Sequence, residues 1–219
     1  MTPGISGVVR AKVKASFINH CIEAVSIGYN IILANASHQL DWLEDNLTAH
    51  LVETIELSGF LTSFQISINY QPPIVNHAIA FQGADFLTAP KVDFKFSTWS
   101  GPKEIKFYAE AKNLSERDWH KASGALVKSS KQRGRYLDTG IENFLSGRYP
   151  EGCLVGYVLN GSKAAIVSGL NSLIKKRKLE PRIGFIALDH TAAWPICYYS
   201  DNEKDGQPYR LVHLMLQLA

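Results

Sequence analysis

Two segments of alternating residues, joined by a turn, constrain the fold of this chain more than any other feature. They lie between Pro90 and Asn113, in the sequence PKVDFKFSTWSGPKEIKFYAEAKN. Successive side chains of a β-strand point to opposite faces, so the pattern predicts two strands and places Val92, Phe94 and Phe96 on one apolar face. Ser100-Gly101-Pro102-Lys103 is typical of a tight turn. The segment therefore predicts a β-hairpin.

The predicted pairing of this hairpin sets two carboxylates against each other. With the turn at its centre, Asp93 lies opposite Glu110, and directly opposed residues have Cβ atoms roughly 5 Å apart. A hard cation with oxygen ligands would relieve the repulsion, and Lys112 adds a positive charge on the face of Glu110. Asp85 is a second candidate to bind such a cation, but it does not face Glu110 in this register.

An aspartate followed on the next strand by Glu-x-Lys resembles the catalytic core of the PD-(D/E)xK nuclease superfamily. Asp93, Glu110 and Lys112 are the matching residues, although the nearest proline, Pro90, does not directly precede the aspartate. The resemblance implies a restriction-endonuclease-like fold and a Mg²⁺ ion, replaceable by Mn²⁺, held by Asp93, Glu110 and the Ala111 carbonyl oxygen. It also implies that Lys112 orients or deprotonates the attacking water, or stabilises the charged phosphate.

A predicted helix before the hairpin offers a further acid. Apolar residues recur at helical spacing from about Leu40 to Gly59. Glu44 falls on their stripe, whereas Asp45 and Glu53 project away from it. A carboxylate on a buried face is costly unless it is paired or binds a cation. Glu44 is therefore either an acid at the rim of the core or, as the resemblance implies, a further ligand at the metal site.

A second motif follows the hairpin. Gln132 and Tyr136 lie on one face of a predicted helix that begins near Ser115–Asp118 and ends at Gly147. The pair resembles the Q-x-x-x-Y motif that follows E-x-K in several families of the same superfamily. The resemblance implies that Gln132 contacts the metal-bound water or a phosphate, and that Tyr136 supports the DNA backbone or the Glu-x-Lys strand.

Basic residues accumulate around this motif, and they are the candidate nucleic-acid-binding residues: Lys128, Lys131, Arg133 and Arg135. Phosphate contacts by such side chains dominate affinity for nucleic acid. A solvated basic face explains the same charges equally well. The resemblance implies DNA over RNA as the partner, a choice that the residues themselves leave open.

The rest of the chain completes an α/β pattern. Gly152–Gly161 is a nearly continuous apolar run, which predicts a buried central strand. An amphipathic helix is predicted over Lys163–Lys178, and a terminal hairpin around Asp205-Gly206. We therefore predict a mixed central β-sheet flanked by helices, as a single nuclease-like domain over residues 1–219 with its core at about 40–160.

Composition narrows the class of protein. The chain is 46% hydrophobic and 20% charged, which suits one domain with a sizeable core. Its net charge of +3 permits nucleic-acid binding without demanding it. The 3 cysteines are widely separated, so neither a disulfide framework nor a zinc site is predicted. The apolar run at Ile27–Ala36 is too short to span a bilayer and no signal peptide is recognisable, so we expect a cytoplasmic protein.

The predicted function is Mg²⁺-dependent hydrolysis of phosphodiester bonds in phage defence or repair. One alternative is a catalytically inactive nucleic-acid-binding subunit of the same fold that acts with a partner protein. Another is an unrelated enzyme or scaffold in which the hairpin charges form a surface ladder. Since no target-reading domain is recognisable, we expect a homodimer or a partner protein to supply specificity.

Overall fold

A seven-stranded mixed β-sheet organises the structure, which is a computed structural model describing residues 7–74, 80, 82, 85, 87 and 89–219. Its strands are β1 (Ser67–Tyr70), β2 (Phe94–Ser100), β3 (Lys103–Ser115), β6 (Gly152–Asn160), β7 (Ala187–Leu188), β8 (Cys197–Lys204) and β9 (Gln207–Gln217). The spatial order is β1-β2-β3-β6-β9-β8-β7. The pairs β3–β6 and β6–β9 are parallel and the remaining pairs are antiparallel.

Helices pack on the sheet and bury two hydrophobic cores. The first core lies under α1 (Gly7–Asn35) and α2 (Glu44–Leu57). The second lies under α3 (Ser129–Arg135), a π-helical turn (Tyr136–Ile141), α4 (Glu142–Leu145) and α5 (Lys163–Arg177). The predicted mixed α/β architecture, with a central sheet flanked by helices, is confirmed.

The register of the predicted hairpin is also confirmed where the two strands pair. Phe94 pairs with Ala109 and Ser100 with Lys103, which is the alignment that sets Asp93 against Glu110. The predicted face of Val92 is wrong: Val92 packs in the second core, whereas Phe94 lies in the first. The chain bends at Asp93, so the strand alternation does not extend back through it.

The predicted helix start at Ser115–Asp118 is wrong. Strand β3 runs through Ser115, and a two-stranded hairpin of β4 (Trp119–His120) and β5 (Leu126–Val127) follows. Asp118 does act at a helix N-terminus, but at that of α3: its Oδ1 accepts hydrogen bonds from the backbone N and the Oγ of Ser129, both at 2.9 Å. The capping carboxylate therefore reaches the helix across the hairpin.

Helix α1 spans 29 residues and extends well beyond the apolar run at Ile27–Ala36. By length and composition alone it is apolar enough to cross a membrane, with a mean hydropathy of 1.3 in its most apolar window, half of which is buried. Gly28 lies against α2, where an added Cβ would come within 2.6 Å of the Ile55 side chain. The apolar run at Ile27–Ala36 is therefore part of a longer apolar helix, and close packing accounts for much of the apolar character of α1.

Candidate metal and nucleic-acid site

The candidate site lies where β2 leaves β3. Beyond Ala109 the edge of β3 that faced β2 has no strand partner among the described residues, while its other edge remains paired with β6. Two carboxylates accept the exposed N–H groups instead. Asp93 Oδ2 accepts from Ala111 N at 2.6 Å, and Glu44 Oε2 accepts from Asn113 N at 2.9 Å. Acidic side chains therefore cluster where this edge of β3 has no strand partner.

Two different elements bring these carboxylates to the edge. Asp93 stands at the bend that precedes β2, and Glu44 is the first residue of α2. Leu47 and Leu51 anchor α2 in the first core, which holds its N-terminus over β3. The Glu44 side chain is only 16% exposed, and a helix N-terminus favours a negative charge. The predicted position of Glu44 on the buried stripe is therefore confirmed.

Lys112 lies at the centre of the cluster. Its Nζ donates to Glu110 Oε1 at 2.6 Å and to the Ala111 carbonyl oxygen at 2.7 Å, and it lies 3.4 Å from Glu44 Oε1. Burial alone would lower the pKa of Lys112, but the charges of Glu110, Glu44 and Asp93 outweigh it and raise the pKa. The amine is therefore an ammonium ion at neutral pH, able to donate hydrogen bonds but not to accept a proton.

Asp93 has the most unusual ionisation at the site. Burial, followed by the negative charge of Glu110, raises the pKa of the Asp93 carboxyl to about 7, although Lys112 and the hydrogen bond from Ala111 N oppose the shift. Three carboxylates thus lie around one buried ammonium, and their crowding disfavours the ionised form of Asp93. The site carries more negative charge than Lys112 neutralises.

The donor atoms suit a hard divalent cation. The carboxylates of Asp93, Glu110 and Glu44 and the Ala111 carbonyl oxygen are the oxygen ligands that Mg²⁺ prefers. Within the described part of the chain, no three acidic, histidine or cysteine side chains already converge as a metal-binding group. In this structure the Lys112 ammonium donates hydrogen bonds to two of these oxygens, Glu110 Oε1 and the Ala111 carbonyl oxygen, which a bound cation would use as ligands.

Asp85 does not belong to this cluster. It is exposed and its Oδ1 accepts a hydrogen bond from Leu87 N at 2.9 Å. The carboxylates whose charges act on Lys112 are those of Glu110, Glu44 and Asp93. The choice of Asp93 over Asp85 therefore agrees with the geometry.

Both residues of the Q-x-x-x-Y pair make hydrogen bonds within the protein, and the expected contact of Gln132 with a metal-bound water or a phosphate stays a prediction. Gln132 Oε1 accepts a hydrogen bond from Ser115 Oγ at 2.5 Å, which ties α3 to the end of β3. Tyr136 is completely buried, and its hydroxyl shares a 2.8 Å hydrogen bond with Nδ1 of His213 on β9. Burial lowers the pKa of His213 to about 3, so its ring is neutral, and Nε2 bonds Ser200 Oγ at 2.9 Å. The expected contact of Tyr136 with a DNA backbone is corrected to a structural link between a helix and the sheet.

The four basic candidates divide into two groups. Lys128, Lys131 and Arg135 are exposed, and Nη2 of Arg135 lies 3.5 Å from Glu44 Oε1 at the rim of the cluster. Arg133 instead donates through Nη1 to the carbonyl oxygens of Ser115 and Glu116, at 3.3 and 3.2 Å. Its guanidinium holds the end of β3, which gives Arg133 a structural role, and its contact with phosphate stays a prediction.

Sequence reasoning missed Tyr149. Its hydroxyl donates to the Lys91 carbonyl oxygen at 3.0 Å, just before the bend that carries Asp93. Burial and the neighbouring Glu110 charge raise the pKa of Tyr149. The residue positions the bend from the second core, and no spacing in the sequence relates it to Lys91.

No family model, no curated protein and no solved structure matches this chain.

Proposed function

We propose that the protein is a metal-dependent nuclease of the PD-(D/E)xK type, built on a restriction-endonuclease-like core, that hydrolyses phosphodiester bonds of DNA. The observation that carries the proposal is the meeting of Asp93, Glu110 and Lys112 at the open edge of β3. The hydrogen bond from Ala111 N gives Asp93 a structural role, but it does not account for the burial of Glu110 and Lys112 beside it, which is costly.

The proposed chemistry assigns a role to each side chain. Asp93, Glu110 and the Ala111 carbonyl oxygen would hold Mg²⁺ or Mn²⁺, with Glu44 as a further donor. The bound ion would neutralise the phosphate and lower the pKa of a bound water. Lys112, as an ammonium ion, would donate to the charged phosphate oxygens and orient the attacking water. Arg135 at the rim would bind the neighbouring phosphate.

Competition between the metal and Lys112 follows from the hydrogen bonds. Nζ now bonds Glu110 Oε1 and the Ala111 carbonyl oxygen, two of the proposed metal ligands. Loading the metal would release the ammonium from these oxygens and make it available to the phosphate. The same contacts motivate the alternative function, a nucleic-acid-binding subunit that has lost turnover, in which Lys112 permanently neutralises the acids.

The proposal extends to the specificity and the cellular setting of the nuclease. The described chain offers Lys128 and Lys131 as phosphate contacts but shows no separate target-reading element. We therefore propose that a homodimer or a partner protein supplies specificity, and that the protein acts in the cytoplasm in phage defence or repair.

A cleavage assay separates the two functions. Plasmid, linear and single-stranded DNA are each incubated with wild-type protein and with Lys112→Ala, in Mg²⁺, in Mn²⁺ and in EDTA. The proposal expects metal-dependent cutting by the wild type and a loss on the order of 100-fold in Lys112→Ala. Equal cutting by the two proteins excludes the mechanism. DNA binding without cutting by either protein favours the inactive subunit.

A further inference from the structure

The far end of the β2–β3 hairpin presents an exposed tryptophan. Trp99 is 68% exposed, although tryptophan is usually well buried in folded proteins. The other tryptophans, Trp42, Trp119 and Trp194, are partly buried. The Trp99 ring therefore contributes little to the core and is available to a ligand.

Trp99 lies on the same face of the hairpin as the candidate site. Alternation along β2 puts Lys95 and Trp99 on one face, and the register pairs Lys95 with Tyr108 and Trp99 with Glu104. Along β3, Glu104 and Glu110 share that face as well. At the rise of a β-strand, Trp99 lies about 20 Å from Glu110. A ligand that runs along the hairpin from the site reaches this ring.

Two lysines, Lys95 and Lys106, lie on this face between Trp99 and the candidate site. Glu104 lies 3.6 Å from Lys95 Nζ and 3.0 Å from Lys106 Nζ, so the single acid is shared by two cations. The Lys106 side chain is 39% exposed. The Lys95 side chain is 18% exposed, so Lys106 is the more accessible cation. Two lysines against one glutamate leave a net positive charge beside the aromatic ring. Lysine is depleted in protein–protein interfaces, whereas basic residues beside an exposed aromatic ring suit single-stranded nucleic acid.

We propose that the hairpin face formed by Lys95, Lys106 and Trp99 binds unpaired nucleotides of the substrate. Trp99 stacks on a base, and the lysines contact the phosphates beside it. A base in a duplex has both faces covered by its neighbours, so the stacking requires a single strand or a frayed end. The proposal rests on the proposed nuclease function and adds to it a preference for substrates with unpaired segments.

Binding measurements in EDTA test the proposal without cleavage. A labelled oligo(dT) strand and a labelled blunt-ended, GC-rich duplex, which has no unpaired loop and frays little, are titrated with wild type, Trp99→Ala and Trp99→Phe. Phe185→Ala is the matched control, since Phe185 is also an exposed aromatic residue but precedes β7 at the other edge of the sheet. Thermal melting checks that each variant is folded.

The proposal expects Trp99→Ala to weaken oligo(dT) binding by about 5- to 100-fold, with duplex binding unchanged. Trp99→Phe should keep most of the affinity, and Phe185→Ala should bind as the wild type does. Oligo(dT) should quench wild-type tryptophan fluorescence and fail to do so in Trp99→Phe. Lys106→Gln should flatten the dependence of log affinity on log salt by about 0.7 for the single strand.

Several results would overturn it. These are unchanged oligo(dT) affinity in Trp99→Ala, an equal loss for duplex and single strand, and no binding of oligo(dT) by the wild type. A change in self-association of Trp99→Ala, with DNA binding intact, would identify a protein partner instead. Trp99 lies far from the metal donors, so each of these failures leaves metal binding and metal-dependent cutting to be judged separately.

Discussion

Asparagine at position 93 should stabilise the metal-free protein at neutral and alkaline pH. The pKa of the Asp93 carboxyl is about 7 in the folded protein, against 3.8 for an unperturbed aspartate, because burial and the Glu110 charge disfavour its ionised form. Above the pKa that Asp93 has in the unfolded chain, folding must therefore either bring a charged carboxylate into a site that disfavours the charge or bind a proton to it. Both cost free energy. Asparagine has nearly the same shape and cannot ionise, and its side-chain oxygen can still accept the hydrogen bond from Ala111 N.

The magnitude follows from proton linkage. Below about pH 4 the carboxyl is protonated in both the folded and the unfolded state. Between about pH 4 and 7 the folded state holds a proton that the unfolded state releases, so stability falls as pH rises, and above pH 7 the loss is constant. The pKa of Asp93 differs between the folded and unfolded states by roughly three, and about 1.4 kcal/mol for each pKa step gives an upper limit of about 4 kcal/mol. We expect roughly half of it, because Asp93 is only partly buried and solvent screens the interaction.

Denaturant unfolding in EDTA at pH 4, 6 and 8 measures this difference. The free energy of unfolding of Asp93→Asn minus that of wild type should grow by about 2 kcal/mol from pH 4 to pH 8. Asp205→Asn, in the exposed turn between β8 and β9, is the matched control, and its difference should change less over the same pH range. A pH-independent difference for Asp93→Asn would refute the account of charge crowding at the open edge of β3.

Three further predictions concern the surroundings of the site. Lys131→Gln should flatten the dependence of log affinity on log salt for duplex DNA by about 0.9, and an unchanged slope would make Lys131 part of a solvated face. Arg133→Gln should instead lower the melting temperature and leave that slope unchanged, because its guanidinium binds the carbonyl oxygens of Ser115 and Glu116; a reduced slope would restore Arg133 as a phosphate contact. Tyr136→Phe should cost about 1–3 kcal/mol of unfolding free energy by leaving His213 Nδ1 without its partner, with Mn²⁺ affinity unchanged; a loss of Mn²⁺ affinity would show that Tyr136 acts on the site.

The hairpin and its register were predictable because local chemistry determines them. A tight turn at Gly101 fixes which residues pair, and alternation then fixes the faces of Phe94 and Phe96. Glu44 was predictable for a similar reason, since helical phase alone puts it on the buried stripe of α2. In each case the pattern that supports the prediction lies within one helix or within two consecutive strands.

The corrections involve partners that sequence spacing does not relate. Tyr136 bonds His213 on β9, Tyr149 bonds the Lys91 carbonyl oxygen, and Arg133 binds the carbonyl oxygens of Ser115 and Glu116 at the end of β3. These contacts depend on the order of strands in the sheet. The bend at Asp93 was missed because an alternating pattern reads the same on either side of a kink.

Titration calorimetry with Mn²⁺ tests most directly whether the carboxylates at the open edge of β3 hold a divalent cation. Wild type, Glu110→Gln and Lys112→Ala are compared at pH 8, with Asp85→Asn as a control that should bind as the wild type does. The account predicts that Glu110→Gln weakens binding by about tenfold or more, since it removes an anionic oxygen ligand. Lys112→Ala should bind Mn²⁺ at least as tightly as the wild type, because it removes a competing ammonium. No Mn²⁺ binding by the wild type, or equal affinity in Glu110→Gln, would contradict the metal site.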